Sequence, residues 1–541
     1  MLRKNLNKVF EYFLYVLPAV LFFSYYPIIS FGANETMNFE LSLPLIWLVL
    51  FDLLVFVILI REKRLFKGLK KKWPWLLLPV YLTVSVFWSL SPVRGVLTVG
   101  ILWLIYFAIN GMYEFRELFD EGFRRKFLKW LFGSTLVICA WCLLQCILDL
   151  AGVGREYSLM CAGCTYKMFG FPHPNGFAIE PQFMGNLLLA PAIISGWIAL
   201  KDDHNSNLRG RGSSLPSSRG SDPSYLDQRS PAGRRLKARS KLLACSTPTA
   251  VGRNLRKPLR ILLLVVFSST LFLTFSRGAI YAFVVAWIFL SVFVVVRKKK
   301  GERKEVGKKV GVVWGMMALA FLFTLNLQGV MAQVSPTDDT YWSGVTKVLN
   351  HLSLGKIDLR GGKADAEKTQ ALESEITEEK REEDDLGAVE KLVENSVDKE
   401  EAAFDGYVEE STNTRVRLTD LAVKVWSQDF RTVLFGVGLG GAGQALYLNN
   451  LSPAPKEIIQ NEYASLLLET GLIGISLFIL TMIFILKAVI KNKGAGLILT
   501  LIIAYGVTLM FFSGLPNALQ IYLLPAVVLI VILKKHDKEL L

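Results

Sequence analysis

Apolar residues run in long blocks along this chain, separated by short polar connections. A helix needs roughly 17 to 25 residues to cross about 30 Å of hydrocarbon, and blocks of that order recur almost from end to end. Their cores are Phe10 to Ser30, Leu41 to Ile60, Trp73 to Leu90, Val96 to Asn110, Phe127 to Leu150 and Phe183 to Leu200 in the first half. Ile261 to Phe275, Ala279 to Val296, Val310 to Val330, Tyr463 to Ile490, Leu497 to Ser513 and Gln520 to Leu533 follow. The pattern predicts an all-α, polytopic membrane protein of about twelve transmembrane helices, with one large extracytoplasmic segment between the ninth and tenth.

Lysine and arginine set the orientation, because cytoplasmic loops carry the excess. MLRKNLNK, REKRLFKGLKKK, FRRKFLK at Phe123 to Lys129, the stretch Lys201 to Arg260, RKKKGERKEVGKK, KNK and KKHDK fall on one side. The loops beginning at Phe31, Ser91, Ala151, Ser276, Met331 and Gly514 carry few basic residues or are acidic. Both termini are therefore expected in the cytoplasm, with the chain in the cytoplasmic membrane. No cleavable signal peptide is expected, since the first apolar run is long and lacks a small-residue cleavage site.

Two segments interrupt the rhythm. Residues 201–260 are rich in Ser, Arg, Gly and Pro and read as a disordered basic cytoplasmic loop between spans 1–6 (residues 1–200) and 7–9 (261–330). The extracytoplasmic segment, 331–460, contains a Glu-rich insert at about 363–410 and precedes spans 10–12 in 461–541.

Composition adds little that the pattern has not said. Of 541 residues, 52% are hydrophobic, too many for a soluble protein of several ordinary domains. The net charge of +15 lies mostly in the cytoplasmic connections, so it is a topology signal and predicts no nucleic-acid partner. Among six cysteines, Cys139, Cys142 and Cys146 lie inside a span, whereas Cys161 and Cys164 lie in an extracytoplasmic loop as a local disulfide or two free thiols.

Candidate chemistry gathers at the extracytoplasmic ends. Thr274 to Ala279 (TFSRGA) is a very short connection that leaves Arg277 at the membrane face; its planar fork suits phosphate. Arg415 and Arg417 open the helical run TRVRLTDLAVKVWSQ; two residues apart, they point to different faces. The following LFGVGLGGAGQALY, with Gly436 and Gly438, could cradle phosphate through backbone N–H groups or serve as tight turns. Gln460, Asn461 and Glu462 stand at the mouth of the tenth span, with Glu469 inside it. His173 lies in FGFPHPNGFAIEPQF, a turn that ends at Glu180; His173 and His351 are expected as exposed loop histidines. No metal cluster, cofactor motif, Ser/His/Asp triad or P-loop is apparent.

The order of these features resembles the O-antigen ligase and O-antigen polymerase superfamily: SRGA between spans seven and eight, the large segment between nine and ten, then Gln-Asn, nine residues and GLIG. Family ligases place His, then Asn, Gln or Ser, then nine residues and Gly-x-x-Gly here; Asn461, Gly471 and Gly474 match, and Gln460 stands in the histidine position. Arg277 and Arg415 match the family's two arginines, and the turn ending in Glu180 and Pro181 resembles polymerase-type members. The resemblance implies a metal-independent, inverting glycosyl transfer on the outer membrane face, from a polyprenyl-diphosphate-linked glycan donor to a hydroxyl of a glycan or lipid-glycan acceptor. Membrane lipids are the other implied partner. Arg277 and Arg415 would hold the diphosphate, Gln460 and Asn461 would orient the acceptor, and Glu180, Glu462 or His173 would take the proton. A transporter or flippase, and an inactive scaffold, are the competing classes; against the former, the halves do not repeat and the spans are mostly free of central charge.

Overall fold

The computed structural model describes residues 2–25, 28–31, 39–63, 69–166, 170–200, 256–335, 340–353, 402–452, 455, 458–490, 495–512 and 519–532. Residues 201–255 of the predicted basic loop and the acidic insert as far as residue 401 lie outside the described residues.

A helix stands at each predicted span. The first nine are α1 (Leu2–Phe22), α2 (Leu43–Arg61), α3 (Leu69–Ser85), α4 (Pro92–Glu114), α5 (Glu121–Leu150), α6 (Pro181–Leu200), α7 (Arg256–Leu273), α8 (Arg277–Val296) and α9 (Arg303–Val334). The segment after α9 supplies α10 (Tyr341–Leu352), α11 (Ala402–Trp426), α12 (Phe430–Phe435) and α13 (Ala442–Leu448). The chain then enters α14 (Glu462–Ile490), α15 (Ala495–Thr508) and α16 (Leu519–Ile532). Among the described residues, seven helices (α2, α4, α5, α6, α8, α9 and α14) are long and apolar enough to cross a membrane, while α3, α7, α15 and α16 are shorter apolar helices. Helix α11 begins at Ala402, inside the stretch expected to be a disordered insert; alanine and glutamate there are good helix formers.

Among the described residues, the fold departs from all-α at one place. Where the apolar pattern predicts a first span running to Ser30, α1 stops at Phe22, and Ile28–Phe31 pairs antiparallel with Phe39–Ser42, Ile28 opposite Ser42. The β-branched and aromatic residues of IISF and FELS suit such a pair.

Helix α6 is the axis of the bundle. Nearly every residue from Pro181 to Gly196 is buried, among α1, α5, α7, α8, α9, α15 and α16. The outer helices differ: α2 buries Trp47, Leu48, Phe51 and Val55 on one face yet exposes Leu50, Leu53, Phe56, Val57 and Ile60 on the other. An exterior as apolar as the interior is what lipid demands of a helix wall.

Helix α14 is bent. Gly471 sits at φ 63° and ψ −166°, which releases the carbonyls of the preceding turn from the helical ladder. The glycine-rich loop fills that gap: the N–H groups of Val437 and Gly438 donate to the carbonyls of Leu468 and Glu469, each at 2.9 Å, and the Tyr81 hydroxyl donates to Thr470 O at 2.8 Å.

Candidate functional site

Three residues, Thr274, Phe275 and Ser276, reverse the chain between α7 and α8. Thr274 Oγ1 donates to Leu271 O at 2.7 Å and Phe275 adopts a left-handed φ of 47°, so that the turn closes tightly enough to make Arg277 the first residue of α8. Arg277 is 8% exposed. A cation at a helix N-terminus opposes the helix dipole, and both the guanidinium and the end of the helix favour an anion at the same place.

The wall behind Arg277 is aromatic. His173 and His351 are both buried, their rings 5.5 Å apart and edge to face, with Phe171 4.6 Å from His173 and Phe275 5.5 Å from it. This corrects the expectation of two exposed loop histidines. Prolines on either side hold His173 in a buried turn, and His351 lies on the inward face of α10 with Val345 and Val348. Burial first, then the positive charge of Arg277, depresses the His351 pKa to about 3; burial and the neighbouring His351 and Arg277 hold that of His173 well below its usual value. Both rings are therefore neutral at neutral pH.

The loop that carries His173 is fixed from beneath. Gln145, wholly buried in α5, accepts the Gly176 N–H at 2.8 Å and donates to Gly176 O at 3.0 Å and to Asn175 Oδ1 at 3.3 Å. Asn175 Nδ2 donates to Ala178 O at 2.6 Å, and the His173 N–H donates to Cys164 O at 2.9 Å. Cys161 and Cys164 form a disulfide, with Cα atoms 5.2 Å apart.

Glu180 ends this loop at the start of α6, and its side chain is open to solvent on one side. Crowding by protein raises its pKa above the usual carboxylate value, and the charge of Arg415 pulls the other way. Arg415, half-buried on α11, interacts electrostatically with both Glu180 and His351; Arg417, two residues on, is exposed. Arg277, Arg415, Glu180, His173 and His351 thus form one electrostatic cluster at one end of the bundle. Two guanidiniums and a single carboxylate suit an anion better than a metal cation.

The residues at the mouth of α14 lie against the same end. The Glu462 N–H donates to Leu509 O at 2.9 Å, Gln182 Nε2 donates to Phe511 O at 2.7 Å, and the Phe511 ring is 6.0 Å from that of Tyr281 on α8. Gln460 is half-buried there. Asn461 serves its own helix, since its Oδ1 accepts the N–H groups of Tyr463 and Ala464 at 3.1 and 3.2 Å and so caps α14. Glu462 hydrogen-bonds the Tyr522 hydroxyl on α16.

The glycine-rich loop does not present a cradle for phosphate. The Gly436 N–H donates to Thr432 O at 2.9 Å, the Gly438 N–H is held by α14, and the N–H groups of Gly440 and Ala442 face the Glu469 carboxylate. Gly438, at φ 87°, lies where a Cβ would overlap the backbone of Ser89. An internal carboxylate and helix carbonyls occupy the donors that a phosphate would need.

Residues 262–479 match the family model described as O-antigen ligase. The match supports the O-antigen ligase superfamily, and with it membrane glycan transfer of the ligase or polymerase type in general, on lipid-linked glycans. No curated protein and no solved structure matches the chain. The O-antigen ligase match takes in Arg277, His351, Arg415, the glycine-rich loop and Gln460 to Glu462, and stops short of His173 and Glu180, which α5 and α6 bring to the cluster. Sequence reasoning missed His351 as a member of the cluster; Val345, Val348 and His351, three apart on one face of a short helix, were the available signal.

Proposed function

We propose that this protein is a membrane glycosyltransferase of the O-antigen ligase type, acting at the outer face of the cytoplasmic membrane in surface polysaccharide biosynthesis. Arg277 and Arg415 hold the diphosphate of a polyprenyl-linked glycan and stabilise the charge that develops as it leaves, commonly the largest contribution in such a site. A hydroxyl of the acceptor glycan or lipid-glycan attacks the anomeric carbon with inversion, oriented by Gln460 and the Asn461 amide. Glu180 takes its proton: its raised pKa brings it nearer the working pH, and it is open to solvent where an acceptor can approach. Glu462 is the weaker candidate because its carboxylate is engaged with Tyr522, and the neutral histidines are buried.

The observation that supports this reading is that the charge of Arg415 acts on both Glu180 and His351, and that of Arg277 acts on His351 too. The test is transfer from a lipid-linked glycan by purified protein in liposomes. The reading expects inverted product and its loss in Arg277→Ala; full transfer by Arg277→Ala would remove it. The Glu180–Pro181 turn, similar to polymerase-type members, favours a second reading in which the acceptor is another lipid-linked repeat. A ladder of products supports polymerisation, and one discrete product supports ligation.

A further inference from the structure

We propose that α10 is a positioning element for Arg277, acting through His351 and Tyr281; this rests on the diphosphate role given to Arg277 above. Phe275 adopts φ 47°, a costly conformation for an aromatic residue, two positions before the arginine. Its carbonyl lies 3.1 Å from His351 Nε2. A carbonyl only accepts, so Nε2 carries the proton and His351 is the donor that fixes the strained turn from the α10 side. On the other side of Arg277, one helical turn along α8, the Tyr281 hydroxyl donates to Leu352 O at 2.6 Å. The last turn of α10 therefore holds the chain on both sides of Arg277, at Phe275 in the turn and at Tyr281 on α8.

Helix α10 is itself anchored. Thr340 caps its start by accepting the Ser343 N–H at 3.2 Å, and the Tyr341 hydroxyl donates to Asn326 Oδ1 on α9 at 2.6 Å. The Phe275 ring, 4.9 Å from that of Phe171, closes the turn from the third side. Neither His351 nor Tyr281 needs to touch substrate for this. Misplacing a binding group by 1 Å can cost on the order of 10²-fold in rate, so a support of this kind sets how well the arginine meets developing charge.

The test uses full-length protein in liposomes and a lipid-linked glycan. Tyr281→Phe removes one oxygen, and His351→Leu removes the donor while keeping bulk. Each is expected to lower kcat by about tenfold with the acceptor KM unchanged, and to speed amide exchange in residues 274–281. His351→Gln, which retains an N–H donor at similar reach, is expected to recover most of the lost rate. Wild-type rates in Tyr281→Phe and His351→Leu, with Arg277→Ala inactive, would overturn the positioning role alone; an active Arg277→Ala would instead overturn the reading beneath it. If His351→Leu does not fold, Tyr281→Phe decides by itself. If His351→Gln falls as far as His351→Leu with an equal loss of melting temperature, His351 is a packing residue and the proposal fails.

Discussion

The Arg277 turn and the glycine-rich loop are both short, irregular stretches between helices, and each is a candidate for binding phosphate on sequence alone. They differ in what their polar groups already do. In the loop, the N–H groups of Gly436, Val437 and Gly438 are bound to backbone carbonyls, and the Glu469 carboxylate takes those of Gly440 and Ala442. At the turn, a strained residue, the His351 side chain and the Leu352 carbonyl of α10 hold a charged fork at the start of a helix, and the charge of a second arginine acts on the same histidine. A run of glycines marks where backbones must meet; it says nothing about whether donors remain for a ligand.

The comparison can be broken most severely at Glu180. Glu180→Gln should lower transfer by about 10²- to 10⁴-fold, the range of a lost general base. With Glu180 in the proposed role, wild-type activity should require the ionised carboxylate, present above the Glu180 pKa and lost as pH falls through it. Because burial raises that pKa, the loss begins at higher pH than for an ordinary glutamate, and a rate profile from pH 4 to 8 in the variant should lack this acid limb. Arg277→Ala should lower kcat by about 10²- to 10³-fold, as for removal of one preorganised donor, and Arg277→Lys should recover only part of it. Arg415→Ala should weaken donor affinity by about ten- to a hundredfold, the value of a charge-assisted bond, while Arg417→Ala changes it less than about twofold. Gly438→Ala sharpens the contrast from the other side. Strain and overlap with Ser89 should destabilise the fold by about 1–3 kcal/mol, read as a lower melting temperature, while the folded fraction binds pyrophosphate as the wild type does.

Much of the helical scaffold is legible in the sequence because lipid demands long apolar blocks, and helices stand at Leu43–Arg61, Pro181–Leu200 and Arg277–Val296 where those blocks lie. The ends are less legible. Helix α1 stops at Phe22 while the apolar run continues into a strand, since hydropathy does not distinguish a helix from a strand in a short apolar stretch. The family resemblance picks out Arg277 and Arg415, and in the structure the charges of both act on His351, that of Arg415 on Glu180 as well. The resemblance cannot show that Asn461 is engaged as a helix cap, or that Gly471 bends α14 to admit the glycine-rich loop. His351 was hidden for another reason: its neighbours in the cluster, Phe275 and His173, are 76 and 178 positions away in the chain. Only packing brings them together.

The central claim is that Arg277 and Arg415 act as one clamp on a diphosphate. Its most direct test is the dissociation constant of a polyprenyl diphosphate, measured in nanodiscs for the wild type, Arg277→Ala, Arg415→Ala and the double variant. Each single variant is predicted to bind at least about tenfold more weakly, and the double variant less weakly than the product of the two losses, because the clamp fails once either side is gone. Single variants that bind within about twofold of wild type would contradict the account.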